Sequence, residues 1–144
     1  MTKLPSLSER GRVMYLVLEG TPVGKARPRV TFTRGWQSGT YTPKKTALEE
    51  ERWRVEFKKS GADPFPDDAP LYLILRAYYP MPKKPRASFP TSKPDPDNVL
   101  KLVMDALTGL AYKDDAVFVR IELHKFWASL GTNPRVEIEI EALP

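Results

Sequence analysis

The chain has 144 residues, a formal net charge of +5 and no cysteine. A chain of this length fits one domain, with a hydrophobic core that needs no covalent staples. Without cysteine there is no disulfide, no thiolate catalysis and no zinc–thiolate site, and the longest apolar run, residues 13–18, is too short to span a membrane.

The first forty residues combine an apolar segment with a strongly basic loop. We expect a loose arm over residues 1–12 and a strand over residues 13–19 that is covered on both faces, because this run is almost entirely apolar. A basic loop follows, and residues 30–33 form a short strand that leads to a turn near Gly35 and Gly39.

The first helix is predicted from its capping residues. Thr42 is a good N-cap, and Pro43 suits the first helical position because no N–H is needed there. The helix then runs to about Ser60 and stops at Gly61. Trp53 and Phe57 share one face of this helix, and Leu48 and Val55 lie nearby.

The second half of the chain contains three more strands and a second helix. An apolar strand covers residues 71–79, and a helix covers residues 98–108 with Asp97 as its N-cap. Residues 116–127 alternate apolar and polar side chains, as a half-buried strand does, and residues 136–140 make a final strand with one face in water. This order of elements predicts a two-layer α+β domain with helices packed on one side of a mixed β-sheet.

Four carboxylates flank the second predicted helix. Pro96 keeps Asp95 out of the helical conformation, so Asp95 and Asp97 enter the helix from an extended segment and can point to the same side. Asp114 and Asp115 follow the helix, just before a strand. If the intervening loop folds back alongside the helix start, Asp95, Asp97 and one of the later pair converge.

Converging carboxylates indicate a hard divalent cation. Three adjacent carboxylates cannot all stay ionised without compensation, and ligands of this kind select magnesium or manganese rather than zinc. Two such ions about 4 Å apart activate water and stabilise the leaving oxygen of a phosphodiester. Lys101, on the same helix stripe as Asp97 and Asp105, would neutralise the phosphate.

A structural interpretation of the same residues stays open. Asp97 then serves only as an N-cap, Lys101 is a solvated side chain, and the later pair of aspartates forms a turn. Three further aspartates form a competing acidic cluster, but they lie in a proline-rich loop without a lysine partner and are interpreted as a solvated turn: Asp63, Asp67 and Asp68.

Basic residues are concentrated in two loops free of acidic residues, which is typical of surfaces that bind phosphates. The candidate nucleic-acid contacts are Lys25, Arg27, Arg29, Lys83, Lys84, Arg86 and Lys93. The alternative is that these charges only aid solubility. Phe89 in the second loop can stack on an exposed base or anchor the loop. His124 is the only histidine, which excludes a two-histidine metal site, and Trp36, Trp53 and Trp127 are expected in the core or an interface.

At these motifs the chain resembles the RusA family of Holliday-junction endonucleases, found in phages and prophages. The family core is an Asp-x-Asp-Asn-x-x-Lys stretch, then Asp-Ala-Leu, then Asp-Asp before a strand. The corresponding residues here are Asp95-Pro96-Asp97-Asn98-Val99-Leu100-Lys101, Asp105-Ala106-Leu107 and Asp114-Asp115. Residues 20–29 and 41–46 also look like the phage branch of the family, so the resemblance runs from about residue 13 to residue 127.

The resemblance implies a role for each acid. Asp95, Asp97 and Asp115 would be magnesium-binding catalytic residues, Asp114 a candidate fourth ligand and Lys101 a catalytic lysine. It also implies a RusA-like fold, Mg²⁺ as the cofactor with Mn²⁺ as a substitute, and a homodimer that nicks two opposed strands of four-way junction DNA. Residue 96 departs from the family, which we expect to carry leucine or a similar residue there.

These observations predict a magnesium-dependent crossover junction endonuclease of DNA recombination and repair. We expect it in the cytoplasm of a bacterium or a phage-infected host, as one domain over residues 1–144, with no membrane partner and no small-molecule cofactor. Two alternatives stay open: a non-catalytic nucleic-acid-binding module whose acids are structural, and a metal nuclease that acts on flaps or RNA.

Overall fold

A computed structural model describes residues 11–26, 29–41 and 43–144. The elements in chain order are β1 (Val13–Glu19), β2 (Arg29–Thr33), β3 (Trp36–Tyr41), α1 (Lys44–Ser60), β4 (Leu71–Pro80), α2 (Pro96–Leu107), a 3₁₀ turn (Asp115–Val117), β5 (Phe118–Ala128) and β6 (Arg135–Ala142). Within these ranges, no helix is long and apolar enough to cross a membrane.

The strands form a four-stranded mixed sheet and a separate hairpin. The order in the sheet is β1-β6-β4-β5, and β2 pairs with β3 alone. β4 and β5 are parallel, whereas β1 with β6 and β6 with β4 are antiparallel. The prediction of an α+β fold with a mixed sheet and two helices is therefore confirmed.

The core lies between the helices and one face of the sheet. Leu73 and Leu75 of β4 stand opposite Ile140 and Ile138 of β6, and all four side chains are fully buried. Buried side chains of both helices join the same cluster: Trp53 and Phe57 from α1, and Val99, Leu102, Val103, Ala106 and Leu107 from α2. Burying a side chain of this size stabilises the fold by about 1.5–3 kcal/mol.

β1 is covered on one face only, so the prediction that both faces are covered is wrong. Met14, Leu16 and Leu18 are buried, whereas Val13 and Tyr15 on the alternate positions are exposed. The reason is topological, because β1 is an edge strand and the helices lie on a single side of the sheet.

α1 ends where its sequence indicates. Gly61 adopts the left-handed conformation (φ 69°) directly after Ser60. Pro43 stands at the N-cap position rather than inside the helix, and the predicted cap Thr42 lies outside the described residues. Trp53 and Phe57 are buried as predicted, but Leu48 and Val55 are exposed because the helix buries only one stripe.

The hairpin and β5 also differ from expectation. The turn predicted near Gly35 is present, but Gly39 lies within the strand β3, whose first residue, Trp36, is 79% exposed. β5 begins at Phe118 instead of residue 116. Val119 and Ile121 belong to the apolar side of the alternation that predicted a half-buried strand, but both are exposed, because β5 is the outer strand of the sheet.

A charged network joins the loop after β1 to both helices. Lys25 Nζ lies 2.9 Å from Glu50 Oε1 of α1 and 3.1 Å from Asp105 Oδ2 of α2. Burial lowers the pKa of Lys25, but the hydrogen bonds to both carboxylates outweigh burial, so its pKa is raised. Arg54 of α1 donates to the carbonyl of Ala106 (3.1 Å), which fastens the two helices together again.

We expect Lys25→Met to lower the free energy of unfolding by about 1–3 kcal/mol, because Glu50, only 8% exposed, loses its nearest cation. Urea unfolding monitored by circular dichroism measures the change. Lys113→Met, at an exposed position, is the control and should leave the midpoint unchanged. Equal effects of the two variants would contradict the proposed role of the network.

Candidate active site

The approach to α2 is fixed by hydrogen bonds to the sheet. The hydroxyl of Tyr79, near the end of β4, donates to the carbonyl of Pro94 (2.6 Å). Asp95 is extended (φ −67°, ψ 149°), and Pro96 occupies the first helical turn, where a proline is tolerated. Asp97 therefore lies inside the helix, and the prediction that it is the N-cap is wrong.

The two carboxylates at the helix start are not used as caps. Asp95 stands at the N-cap position but makes no side-chain hydrogen bond to the helix. Both Asp95 and Asp97 are exposed, and one residue separates them. Their oxygens are hard donors directed at solvent, beside a helix N-terminus that favours anions such as a phosphate.

A cleft of about 640 Å³ opens beside Asp95. It is lined by Pro22, Val23, Gly24, Lys25, Ala26, Pro43, Lys45, Thr46, Lys93, Pro94, Asp95 and Asn98. The wall formed by the basic loop is held by backbone bonds, from Lys25 N to the carbonyl of Asn98 (2.9 Å) and from Ala26 N to Thr46 Oγ1 (3.2 Å). Gly24 permits this approach, since a Cβ there would lie 2.8 Å from the Cβ of Pro94.

The structure separates the predicted basic contacts into groups. Lys93 lines the cleft and is exposed, and so are three residues of the same loop: Lys83, Lys84 and Arg86. Lys25 lines the cleft too, but its charge is paired with two carboxylates. Arg27 lies outside the described residues, and only the backbone of Arg29, in β2, is described.

Two lysines near the site were missed in the sequence. Lys45 lines the cleft at the start of α1. Lys125 of β5 donates to the carbonyl of Ser92 (2.6 Å) and lies 4.9 Å from the ring centroid of Tyr79. The signal for Lys125 was a lysine at an apolar position of the β5 alternation. Lys45 lies within residues 41–46, which resemble the family, but that resemblance was not used to give it a role.

The long loop before α2 is fastened along β5. Trp127 Nε1 donates to the carbonyl of Ala87 (3.0 Å), and the ring of Phe89 lies 6.2 Å from that of Phe126. Phe89 thus contacts the sheet as a loop anchor while much of its ring stays exposed. His124 stacks on Phe126 (5.5 Å) and lies 3.5 Å from Glu122.

The later aspartates lie at the other end of α2. Asp114 and Asp115 are exposed, and Asp114 makes no capping bond to the 3₁₀ turn. Tyr112, whose hydroxyl donates to the carbonyl of Met104 (2.8 Å), lies close to both. Burial raises the pKa of Tyr112, and the negative charges of Asp115, Asp105 and Asp114 raise it further.

The predicted convergence of the acids is not found within one chain. α2 has 12 residues, so it spans about 18 Å, with Asp95 and Asp97 at its start and Asp115 beyond its end. Among the described residues, no group of three or more acidic or histidine side chains is placed to share a metal ion. The reason is that β4 and β5 are parallel, so α2 has to carry the chain from the end of β4 back to the beginning of β5. Asp95 and Asp115 are therefore left at opposite ends of the helix.

The residues at the helix start nevertheless suit a hard divalent cation. Magnesium in nucleic-acid enzymes is held by one or two carboxylates together with water and substrate phosphates. Asp95 and Asp97 are exposed carboxylates of this type, next to a cleft with lysines on its wall. Such a site on an α+β fold is compatible with metal-dependent cleavage of a phosphodiester.

Comparison with known proteins identifies the family. The family model described as endodeoxyribonuclease RusA matches residues 19–141, so the chain belongs to the RusA family of endodeoxyribonucleases. A relative in Bacillus subtilis (strain 168), the uncharacterized protein YqaN, is 33% identical over 139 residues, covering 84% of this chain and 90% of its own. The family supports a nuclease activity of the Holliday-junction-resolving kind.

Tyr79 should make stability sensitive to alkaline pH. Burial, and secondarily the charge of Asp95, raises the pKa of Tyr79 from 10.0 to about 12. The folded chain therefore keeps a proton that the unfolded chain releases above about pH 10, so the stabilising contribution of Tyr79 is complete below about pH 10 and is lost as the pH rises toward about 12. We expect the stability advantage of wild type over Tyr79→Phe to shrink by about 1 kcal/mol between neutral pH and about pH 11. Urea unfolding at both pH values measures it, and an unchanged difference would contradict the assignment.

Proposed function

We propose that this protein is a magnesium-dependent endonuclease that resolves four-way DNA junctions by paired nicks, in DNA recombination and repair. The observation that carries the proposal is the pair of exposed, uncapped carboxylates, Asp95 and Asp97, beside a lysine-lined cleft in a chain of the RusA family. We propose further that it acts as a homodimer and as a single domain, in the cytoplasm of a bacterium or a phage-infected host.

Asp95 and Asp97 would hold the metal. Asp115 as a third ligand, with Asp114 beside it, would have to come from the second subunit of the proposed homodimer, because in one chain it lies at the other end of α2. A bound magnesium ion supplies activation of the attacking water and stabilises charge on the leaving oxygen. The extended backbone at Asp95 and the rigid ring of Pro96 hold the first two carboxylates on either side of one residue. Manganese can substitute, since it prefers the same oxygen ligands.

Lys101 and the exposed loop lysines have different tasks. Lys101 follows Asp97 by one helical turn and is exposed, so its ammonium group can reach a phosphate held at the helix start. Four exposed basic residues of the loop before α2 would contact the DNA backbone at a greater distance: Lys83, Lys84, Arg86 and Lys93. Arg27 and Arg29 are proposed as contacts of the same kind, whereas the paired charge of Lys25 gives it mainly a structural task.

The decisive experiment compares substrates with and without the metal. Purified protein is incubated with a synthetic mobile four-way junction, linear duplex, a flap and hairpin RNA, in magnesium or in EDTA. We expect symmetric nicks in the four-way junction in magnesium, none in EDTA, and much slower cleavage of the other substrates. Binding without cleavage would indicate a non-catalytic module, and preferred cleavage of the flap or the RNA would indicate a different nuclease.

Asp97→Asn should abolish cleavage and leave junction binding intact or tighter, because it removes a metal ligand and a negative charge near the phosphate. Gel shift in calcium measures the affinity, and single-turnover nicking in magnesium measures the rate. Asp67→Asn, in the exposed loop before β4, is the matched control and should cut like wild type. If the Asp97→Asn variant cuts the junction at the wild-type rate, Asp97 has no role in catalysis.

Lys101→Ala should lower the single-turnover rate by about 10²-fold or more with little loss of junction affinity, because Lys101 acts on charge that develops during cleavage. Lys113→Ala, at an exposed position after α2, controls for the loss of one positive charge. A parallel loss of affinity and rate in Lys101→Ala would instead indicate a simple phosphate contact.

A further inference from the structure

The hairpin formed by β2 and β3 stands apart from the core. Among the described residues its two strands pair only with each other, and none of its described side chains belongs to the hydrophobic core. Three of its apolar side chains are exposed instead: Val30 by 44%, Phe32 by 67% and Trp36 by 79%. So much exposed apolar surface on one small element indicates a contact with another molecule.

The two aromatic rings lie on opposite faces of the hairpin, close to its tip. Thr33 pairs with Trp36, and Phe32 pairs with Gln37. Residues paired across two strands share a face, and successive residues of one strand alternate between faces. Trp36 therefore lies on the face of Thr33, and Phe32 lies on the other.

The tip itself is a two-residue turn that holds an arginine in a strained conformation. Both turn residues have a positive φ, 52° for Arg34 and 83° for Gly35. Hairpin turns of this kind favour asparagine or aspartate followed by glycine, because a longer side chain is disfavoured in the left-handed region. The chain thus keeps a basic side chain at the tip at a cost in stability, as is common where a residue contacts a ligand.

The charge and position of the hairpin fit a nucleic acid. Residues 20–48 contain no acidic residue, and their basic residues are Lys25, Arg27, Arg29, Arg34, Lys44 and Lys45. A second copy of a chain with a net charge of +5 would bring like charges together here. The hairpin also begins and ends at the cleft, because Ala26 before it and Pro43 after it are lining residues. A strand of five residues spans about 17 Å, so the tip can reach DNA whose phosphates occupy the cleft.

We propose that the hairpin tip enters the branch point of four-way DNA as a wedge, with Trp36 and Phe32 each stacked on a base and Arg34 bound to a neighbouring phosphate. Stacking on an aromatic ring suits any base, because every base has a flat face. The bases of a linear duplex are stacked on each other, whereas bases at a branch point are released at a lower cost. The wedge therefore gives the protein a preference for branched DNA. It deepens the proposed function, on which the identity of the ligand rests.

DNA binding tests the wedge without any cleavage. Affinities for a synthetic mobile four-way junction and for a linear duplex are measured in calcium by fluorescence anisotropy. We expect Trp36→Ala to bind the junction about tenfold more weakly and the duplex nearly as wild type does, and Trp36→Phe to keep most of the junction affinity. Leu130→Ala, at a fully exposed position between β5 and β6, is the control and should bind both DNAs as wild type does. A Trp36→Ala variant that keeps its junction affinity, or loses affinity for both DNAs equally, would overturn the wedge.

Photochemical cross-linking locates the contacted base. Junctions carry 5-iodouracil either at the branch point or in the middle of one arm, and irradiation couples this base to an aromatic side chain stacked on it. We expect a cross-link to Trp36 or Phe32 from the branch point and none from the arm. A bound junction that cross-links only to other residues would overturn the proposal. So would a lower sedimentation coefficient of Trp36→Ala without DNA, because the hairpin would then contact a second protein chain.

Arg34→Asn separates binding from stability. Asparagine is better tolerated in the left-handed region, so the variant should unfold at an equal or higher urea concentration than wild type. It should nevertheless bind the junction several-fold more weakly at low salt, and the slope of log affinity against log salt concentration should fall by about one, because one phosphate contact is lost. Wild-type affinity and slope would overturn the role of Arg34.

The same measurements distinguish the wedge from the proposed function. A wild type that binds junctions and never cuts them would overturn the proposed function, while binding and cross-linking still decide the wedge. If wild type and Trp36→Ala bind and cut junctions equally well, the wedge alone is wrong. A wild type that binds no DNA would overturn both.

Discussion

The parallel pairing of β4 with β5 is the constraint on which the rest of the molecule depends. Parallel neighbours cannot be joined by a tight turn, so the chain must cross back over the sheet, and α2 makes that crossing. The helix covers the buried residues of β4 on its way. The start of α2 therefore lies at the end of β4, and the end of α2 lies at the beginning of β5. The acidic residues at the two ends of the helix are separated in the same way.

The two ends of α2 are built differently. At its start, Tyr79 binds the carbonyl of Pro94, and the basic loop is hydrogen-bonded to Asn98, so the surroundings of the first two aspartates are rigid. At its end, Asp114 and Asp115 stand in a short exposed turn that runs directly into the edge strand. The first two aspartates are therefore fixed by contacts with distant parts of the chain, whereas the later pair belongs to a local turn.

The sequence was sufficient for most of the fold, because its signals there are local. Gly61 ends α1, Trp53 and Phe57 mark its buried stripe, and the apolar run of β4 identifies the central strand. Local patterns contain no information on which face of a strand is covered. For that reason the apolar run of β1 and the alternation around Val119 suggested burial that the topology does not provide.

The candidate site was predictable in its residues and not in its geometry. The spacing of Asp95 and Asp97 around Pro96 is local, and the structure keeps both carboxylates exposed. Whether Asp115 could meet them depended on a loop reversing the chain, which the parallel crossover forbids. The contacts of Lys25 with Glu50 and Asp105 join residues far apart in sequence, so no local sequence pattern could predict them.

The ion pairs around Lys25 also change the electrical character of the cleft. Counted from the sequence, this loop is purely cationic, yet the network holds two cations, Lys25 and Arg54, against three carboxylates, Glu50, Glu51 and Asp105. Its sum is one negative charge. The charge of Lys25 is therefore already balanced by its partners, and the attraction of the cleft for a nucleic-acid backbone comes from Lys45 and Lys93, which also line it.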